Sequence, residues 1–135
     1  MSGTHSCEES DRRRKSVGAE GERMAAELLI ARGYTIRERN WKPKNSNLEV
    51  DIIAQLDEVI VFVEVKSRSR TDILDPAEAV TPAKIRKLVA AANRYMSLLE
   101  ADYEYRFDII TVSGEGPDAD IDHLPDAFYP PLTTR

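Results

Sequence analysis

Cysteine is almost missing from this chain. Its 135 residues include one cysteine, Cys7, and two histidines. Neither a disulfide framework nor a Cys/His zinc set can be built from so few, and a reducing, cytoplasmic setting fits. Long apolar runs are missing too. Nothing approaches the roughly 20 apolar residues of a membrane span, so no membrane partner is expected. The leader MSGTHSCEESDRRRK has no apolar core, so a signal peptide is not expected either. An excess of positive charge is also lacking: the net charge is −5. A globally basic nucleic-acid binder is thereby excluded. The acid is uneven, however. From Gly114 onward there are five acids against Arg135, a net of −4, which leaves the first 113 residues at −1. Bases cluster at residues 12–15, 37–44 and 84–94, so a local basic surface remains available.

What is present reads as one ordinary domain. Hydrophobic residues make 41% and charged residues 32%, a normal balance for a chain that can bury a core without staples. Residues 1–15 are polar and predict disorder. The domain is expected over 16–113, and the acidic, Pro-rich segment 114–135 is expected to be mostly loop with one short strand, packing partly on the domain.

The spacing predicts a helix from about Val17 to Arg32, with Ala25, Leu28, Leu29 and Arg32 on one stripe and Gly33 as the stop. YTIRERNW alternates as a strand. LEVDIIAQL and VIVFVEVKS are strong β segments around Asp57-Glu58, a hairpin. A second helix starts with Thr81 as N-cap and Pro82 in its first turn. Its apolar stripe is Ile85, Leu88, Val89, Ala92, Met96 and Leu99, with Lys84, Arg86, Lys87 and Arg94 opposite. YRFDIITVS is another strand. The order αβββαβ predicts an α/β fold: a central mixed sheet flanked by helices.

VFVEVKSRS poses the chemical question, because a core-like strand carries Glu64 and Lys66. Side chains alternate along a strand, so both share a face with Ile60 and Phe62. On the preceding strand Glu49, Asp51 and Ile53 share a face. A two-residue loop at Asp57-Glu58 sets Asp51 opposite Glu64 and Glu49 opposite Lys66. A four-residue loop keeps the side and shifts the register, and a three-residue loop separates the sets. Facing carboxylates repel, and a divalent cation between them removes the conflict. Magnesium takes carboxylates, a carbonyl and waters, and serves phosphate chemistry. A lysine two residues on can hold an attacking water or a phosphate. On the first helix, Glu22 projects within roughly 20° of Leu29 at about 100° per residue, into the apolar stripe, where a carboxylate needs a partner. The plainer reading of these residues is a solvated surface group, and for Glu22 a helix N-terminal acid favoured by the dipole. Trp41 reads as packing, and His123 and Cys7 as incidental.

The same stretches carry a family likeness. GAEGERMAAELLIARGY, RERNW, LEVDIIA, VFVEVKSRS, AVTPAKIRKLVAAANRYM and RFDIITV, in this order, resemble the YraN-like family of bacterial predicted endonucleases in the PD-(D/E)xK superfamily. The likeness runs from about Val17 to Val112, and it implies a restriction-endonuclease-like core similar to Holliday-junction resolvases. By that resemblance Asp51 and Glu64, with the Val65 carbonyl, would bind Mg²⁺ or Mn²⁺. Lys66 would be the catalytic lysine, and Glu22 the helix acid that completes the site. Arg68, Arg70, Lys84, Arg86 and Lys87 would meet nucleic acid. The implied activity is metal-dependent hydrolysis of structured or branched DNA, and a cut in two strands calls for a homodimer. The competing expectation is a non-catalytic nucleic-acid-binding or protein-interaction module on the same scaffold. The family's glycine before the E-x-D segment is Leu48 here, and the loop KPKNSN lacks the usual glycine, so the backbone path before Asp51 is open.

Overall fold

The computed structural model describes residues 18–68 and 80–128. The leader with Cys7, the loop through Pro76 and Arg70 lie outside the described residues. Helix α1 occupies residues 18–31 and ends at Gly33, whose φ of 94° only glycine adopts without cost. Three strands follow, β1 (Thr35–Trp41), β2 (Val50–Leu56) and β3 (Val59–Arg68), then α2 (Pro82–Met96) and β4 (Glu104–Ser113). A 3-10 turn at Gly116–Asp118 leads into β5 (Asp120–Phe128).

The strands form one sheet in the order β1-β2-β3-β4-β5. β1, β2 and β3 meander antiparallel, β3 and β4 run parallel, and β5 returns antiparallel to β4. A parallel neighbour needs a crossover, and α2 lies within that connection. Each face of the sheet buries its own core. Leu88, Ala91, Ala92 and Tyr95 of α2 pack with Ile53, Ile60, Phe62, Phe107 and Ile109. Ala25, Ala26 and Leu29 of α1 pack with Ile52, Ala54, Val61, Val63, Ile110 and Val112. The alternation of β3 and β4 divides their side chains between the two helices. This mixed sheet between two helices is the expected α/β architecture, consistent with a restriction-endonuclease-like core. Among the described residues no helix is long and apolar enough to cross a membrane.

Local chemistry explains the joints. Leu56 pairs with Val59, so the hairpin turn is the two residues Asp57-Glu58. Asp57 takes φ 54°, a left-handed conformation that aspartate tolerates. Thr81 caps α2 by accepting the Lys84 amide at 3.2 Å, and Pro82 sits in the first turn. The loop before β2 does without glycine because Asn45 takes the left-handed position at φ 60°. There the Ser46 hydroxyl donates to the Pro43 carbonyl at 3.0 Å, and Leu48 packs on the α2-side core.

Two expectations are refined. The one strand expected after Ser113 is present, and at nine residues it is longer than expected. Its acids and Pro125 break an apolar alternation, but an edge strand tolerates both. The α2 stripe is also rotated: Leu88, Ala91, Ala92 and Tyr95 are buried, while Ile85, Val89 and Met96 are only half-buried.

Candidate functional site

Asp51 and Glu64 meet where β2 begins and β3 nears its end. The ladder runs back from the turn to Ile52 paired with Val63, so one step further sets Asp51 opposite Glu64. At that step a side chain replaces the backbone acceptor: the Val65 amide donates to Asp51 Oδ2 at 2.9 Å. This fixes the Asp51 carboxylate against β3. Glu64 is 9% exposed. Its Oε2 lies 3.5 Å from Lys84 Nζ, and among the described residues no donor meets its buried Oε1.

The electrostatics follow from burial and like charge. Desolvation, then the Asp51 charge, push the Glu64 carboxyl up to about 7, against the pull of Lys84. Asp51 is also raised, chiefly by burial, with the Val65 amide and Lys84 opposing. The two carboxyls are close enough for a proton on one to bond the other. Glu22 joins from α1. Its carboxyl is raised by burial first and by the Asp51 charge next, and it bonds the Asn40 side chain. Asn40 takes φ 51° in β1, and a cleft of about 120 Å³ runs from Glu22 past Asn40 to Asp51.

The residues singled out from sequence divide into three groups. Asp51, Glu64 and Glu22 converge. Lys66 is exposed on the same strand, and among the described residues no ion pair restrains it. Glu49 does not face Lys66: it lies outside β2 and approaches Lys42 at 4.0 Å. Val50 explains this, since it packs on the α2-side core like Ile53 and so breaks the alternation at the strand's first residue. Among the expected nucleic-acid contacts, Arg86 and Lys87 are exposed on α2. The Arg68 guanidinium donates to the Ser113 hydroxyl at 3.3 Å, and Arg70 is outside the described residues. Lys84 does not lie wholly on the solvated face: it is half-exposed, with its Nζ 3.5 Å from Glu64 Oε2, one turn before Leu88 on the buried stripe. The apolar spacing pointed to a different stripe, so this placement was not signalled.

A second polar cluster was missed. Asp108, 1% exposed, holds Arg106 at 3.0 Å, His123 at 2.7 Å and the Asp126 amide at 2.9 Å. Arg106 also donates to the Tyr34 hydroxyl at 2.6 Å. Burial raises the Asp108 carboxyl, but the bonds from His123, Arg106 and the Asp126 amide outweigh it and leave it lowered. His123 is therefore an interior partner, not an incidental residue. The one sequence sign was a lone aspartate inside an apolar strand, which burial permits only with partners.

Among the described residues no three His, Cys, Asp or Glu side chains form a ready metal cage. The donors that do converge suit a hard cation: two carboxylates, one of them with a buried oxygen that meets no donor among the described residues. Water and substrate oxygens would have to fill the other positions, as magnesium prefers.

Residues 21–112 match the sequence profile described as Uncharacterised protein family UPF0102. A UPF0102 protein of Bacteroides thetaiotaomicron is 47% identical over 116 residues, covering 86% of this chain and 94% of that protein. One from Flavobacterium johnsoniae is 45% identical over 117 residues, covering 84% and 94%. One from Myxococcus xanthus is 40% identical over 116 residues, covering 85% and 90%. The profile match takes in most of α1, strands β1 to β3, α2, nearly all of β4 and every acid of the cleft, and the chain belongs to the UPF0102, or YraN-like, family.

Proposed function

We propose that this protein is a metal-dependent endonuclease that hydrolyses phosphodiester bonds in structured or branched DNA. The observation that carries the reading is the half-buried Asp51 set against the buried Glu64, whose Oε1 meets no donor among the described residues. Two acids held together at the edge of the core, both pushed toward protonation, are costly to fold and suit a cation. Mg²⁺ or Mn²⁺, when bound by Asp51, Glu64 and the Val65 carbonyl, would stabilise charge on the phosphate and activate water.

The chain's own groups have distinct tasks. The Val65 amide keeps Asp51 aimed at Glu64. Glu22, held by Asn40, closes the cleft side and can orient a water toward Asp51. Lys66 is free to swing over the scissile phosphate or to hold the attacking water. Lys84 neutralises Glu64 from the first turn of α2 and can move between carboxylate and phosphate. A specific observation keeps the competing module alive: Lys84 already supplies a cation to Glu64 at 3.5 Å, so the scaffold can persist without catalysis.

The test uses labelled duplex, single strand, flap and four-way junction, each with Mg²⁺ or Mn²⁺. Wild type should cut at least one. Lys66→Ala should lose on the order of 10²–10⁴ in rate with an unchanged melting temperature, since Lys66 is exposed. Equal cutting by that variant would sink the mechanism. Binding in Ca²⁺ with no product under either metal would favour the non-catalytic module.

A further inference from the structure

We infer that the groove between the end of β1 and the C-terminal end of α2 is a binding site for an unpaired DNA strand. The inference rests on the nucleic-acid reading above and gives it a substrate feature. The groove encloses about 490 Å³ and is lined by Trp41, Lys42, Lys44, Arg94 and Leu98, among others. That volume lies within the roughly 300–1,000 Å³ of built ligand sites.

Three features select the occupant. The first is charge. Three of the described lining residues are cations and none is an acid, in a chain of net charge −5. The second is the apolar surface between the cations. Trp41 meets Tyr95 edge-on at 5.1 Å and 86° and also lines the groove. Leu98, beside it, is 68% exposed, an unusual place for a large aliphatic side chain. The third is preorganisation. The Arg94 guanidinium donates to the Lys44 carbonyl at 2.8 Å, tying the loop to α2.

An apolar wall among cations, Arg94 held by the Lys44 carbonyl and two lysines exposed beside it, is what a single strand uses: its bases stack on the wall and its phosphates pair with the cations. A duplex keeps its bases stacked inside and would leave Trp41 and Leu98 uncovered. An acidic peptide would use the charges but not the aromatic face. Position adds to the argument. Trp41 pairs with Val50, the residue before Asp51, so a strand lying in the groove passes the acidic pair. The substrate would then be DNA with an unpaired arm, and the groove would hold that arm.

Trp41 is the only tryptophan, so its fluorescence reports on the groove alone. The full chain is titrated in EDTA with short oligodeoxythymidylate, blunt duplex and polyglutamate, and anisotropy of labelled DNA is read in parallel. Saturable quenching by oligodeoxythymidylate is expected, with little from the other two. Leu98→Asp and Lys44→Glu, both at exposed positions, should weaken it on the order of tenfold or more. Lys44→Ala should flatten the log–log salt dependence by about 0.7. Single-strand binding without quenching overturns the groove, as does equal quenching by polyglutamate. DNA cutting by a protein whose Trp41 never responds also overturns the groove, and leaves the nuclease reading intact. Quenching with no cutting under any metal supports the groove and removes the nuclease reading.

Discussion

Glu64 shows how a single residue ties stability to function. Its carboxyl is raised to about 7 from an ordinary 4.5. An acid raised on folding binds its proton more tightly in the folded state. Its contribution is full below about pH 4.5, the unfolded value, and is lost as pH rises through 7. The metal-free protein should therefore melt lower at pH 8 than at pH 5. The loss attributable to Glu64 is at most about 3 kcal/mol, since one unit is about 1.4 kcal/mol. Glu64→Gln should remove most of that slope, and added Mg²⁺ should raise the melting temperature of wild type at pH 8 but not of the variant. Thermal melts in EDTA across this range check it; a flat wild-type profile would contradict the burial argument. The pair was legible because Asp57-Glu58 counts as a two-residue turn, which fixes the face and the partner together. Lys84 was not legible as a neighbour of Glu64. Apolar residues at 85, 88, 89, 92 and 96 define a plausible stripe, but burial by the sheet selected 88, 91, 92 and 95. Tyr95 takes its place there because Arg37 donates to its hydroxyl at 2.8 Å, a bond between residues far apart in sequence.

At the scale of elements, β5 is the strand whose length the sequence pattern understated. Its side chains are mostly exposed, so little apolar burial holds it. What holds it is the ladder to β4 and the Asp108 cluster, where His123 and the Asp126 amide of β5 both bond one buried carboxylate of β4. Asp108→Ala leaves Arg106 and His123 without their acceptor. Breaking such a buried cluster typically costs about 3–5 kcal/mol, to be read as a lower urea midpoint. Asp108 is lowered from its ordinary 3.8, so its contribution is present above that pH and is lost as pH falls through the still lower folded value. An acid limb of unfolding below pH 4 should be absent from the variant. If Asp108→Ala instead matches wild type in urea, the edge strand is held by its ladder alone. The helices and β1–β4 were legible for the opposite reason: apolar periodicity, the Thr81 cap and the Gly33 stop each act locally.

The whole molecule separates its charges, and this decides how DNA can approach. The bulk value of −5 hides an acidic edge at β5, with exposed Asp118 and Asp122. The opposite half carries Arg86 and Lys87 on α2, and Lys42, Lys44 and Arg94 around the groove. The acids of the candidate site sit between these bases, at the β2–β3 junction, two strands away from β5 in the sheet order. A duplex that reached the site from the β5 side would meet repulsion, so it must arrive over the first turns of α2. Arg86→Glu with Lys87→Glu should then weaken duplex binding and flatten its log–log salt dependence by about 1.8, at roughly 0.9 for each phosphate left without its cation. Asp118→Asn with Asp122→Asn touches no phosphate. It should raise affinity at low salt, where the acidic edge acts through space, and lose that gain as salt screens it, so the slope steepens slightly instead of flattening. Anisotropy titrations at several salt concentrations separate the two effects. If the α2 reversal left the slope intact, the phosphates would have to meet another face, and the path from the groove past Asp51 to the first turn of α2 would be wrong.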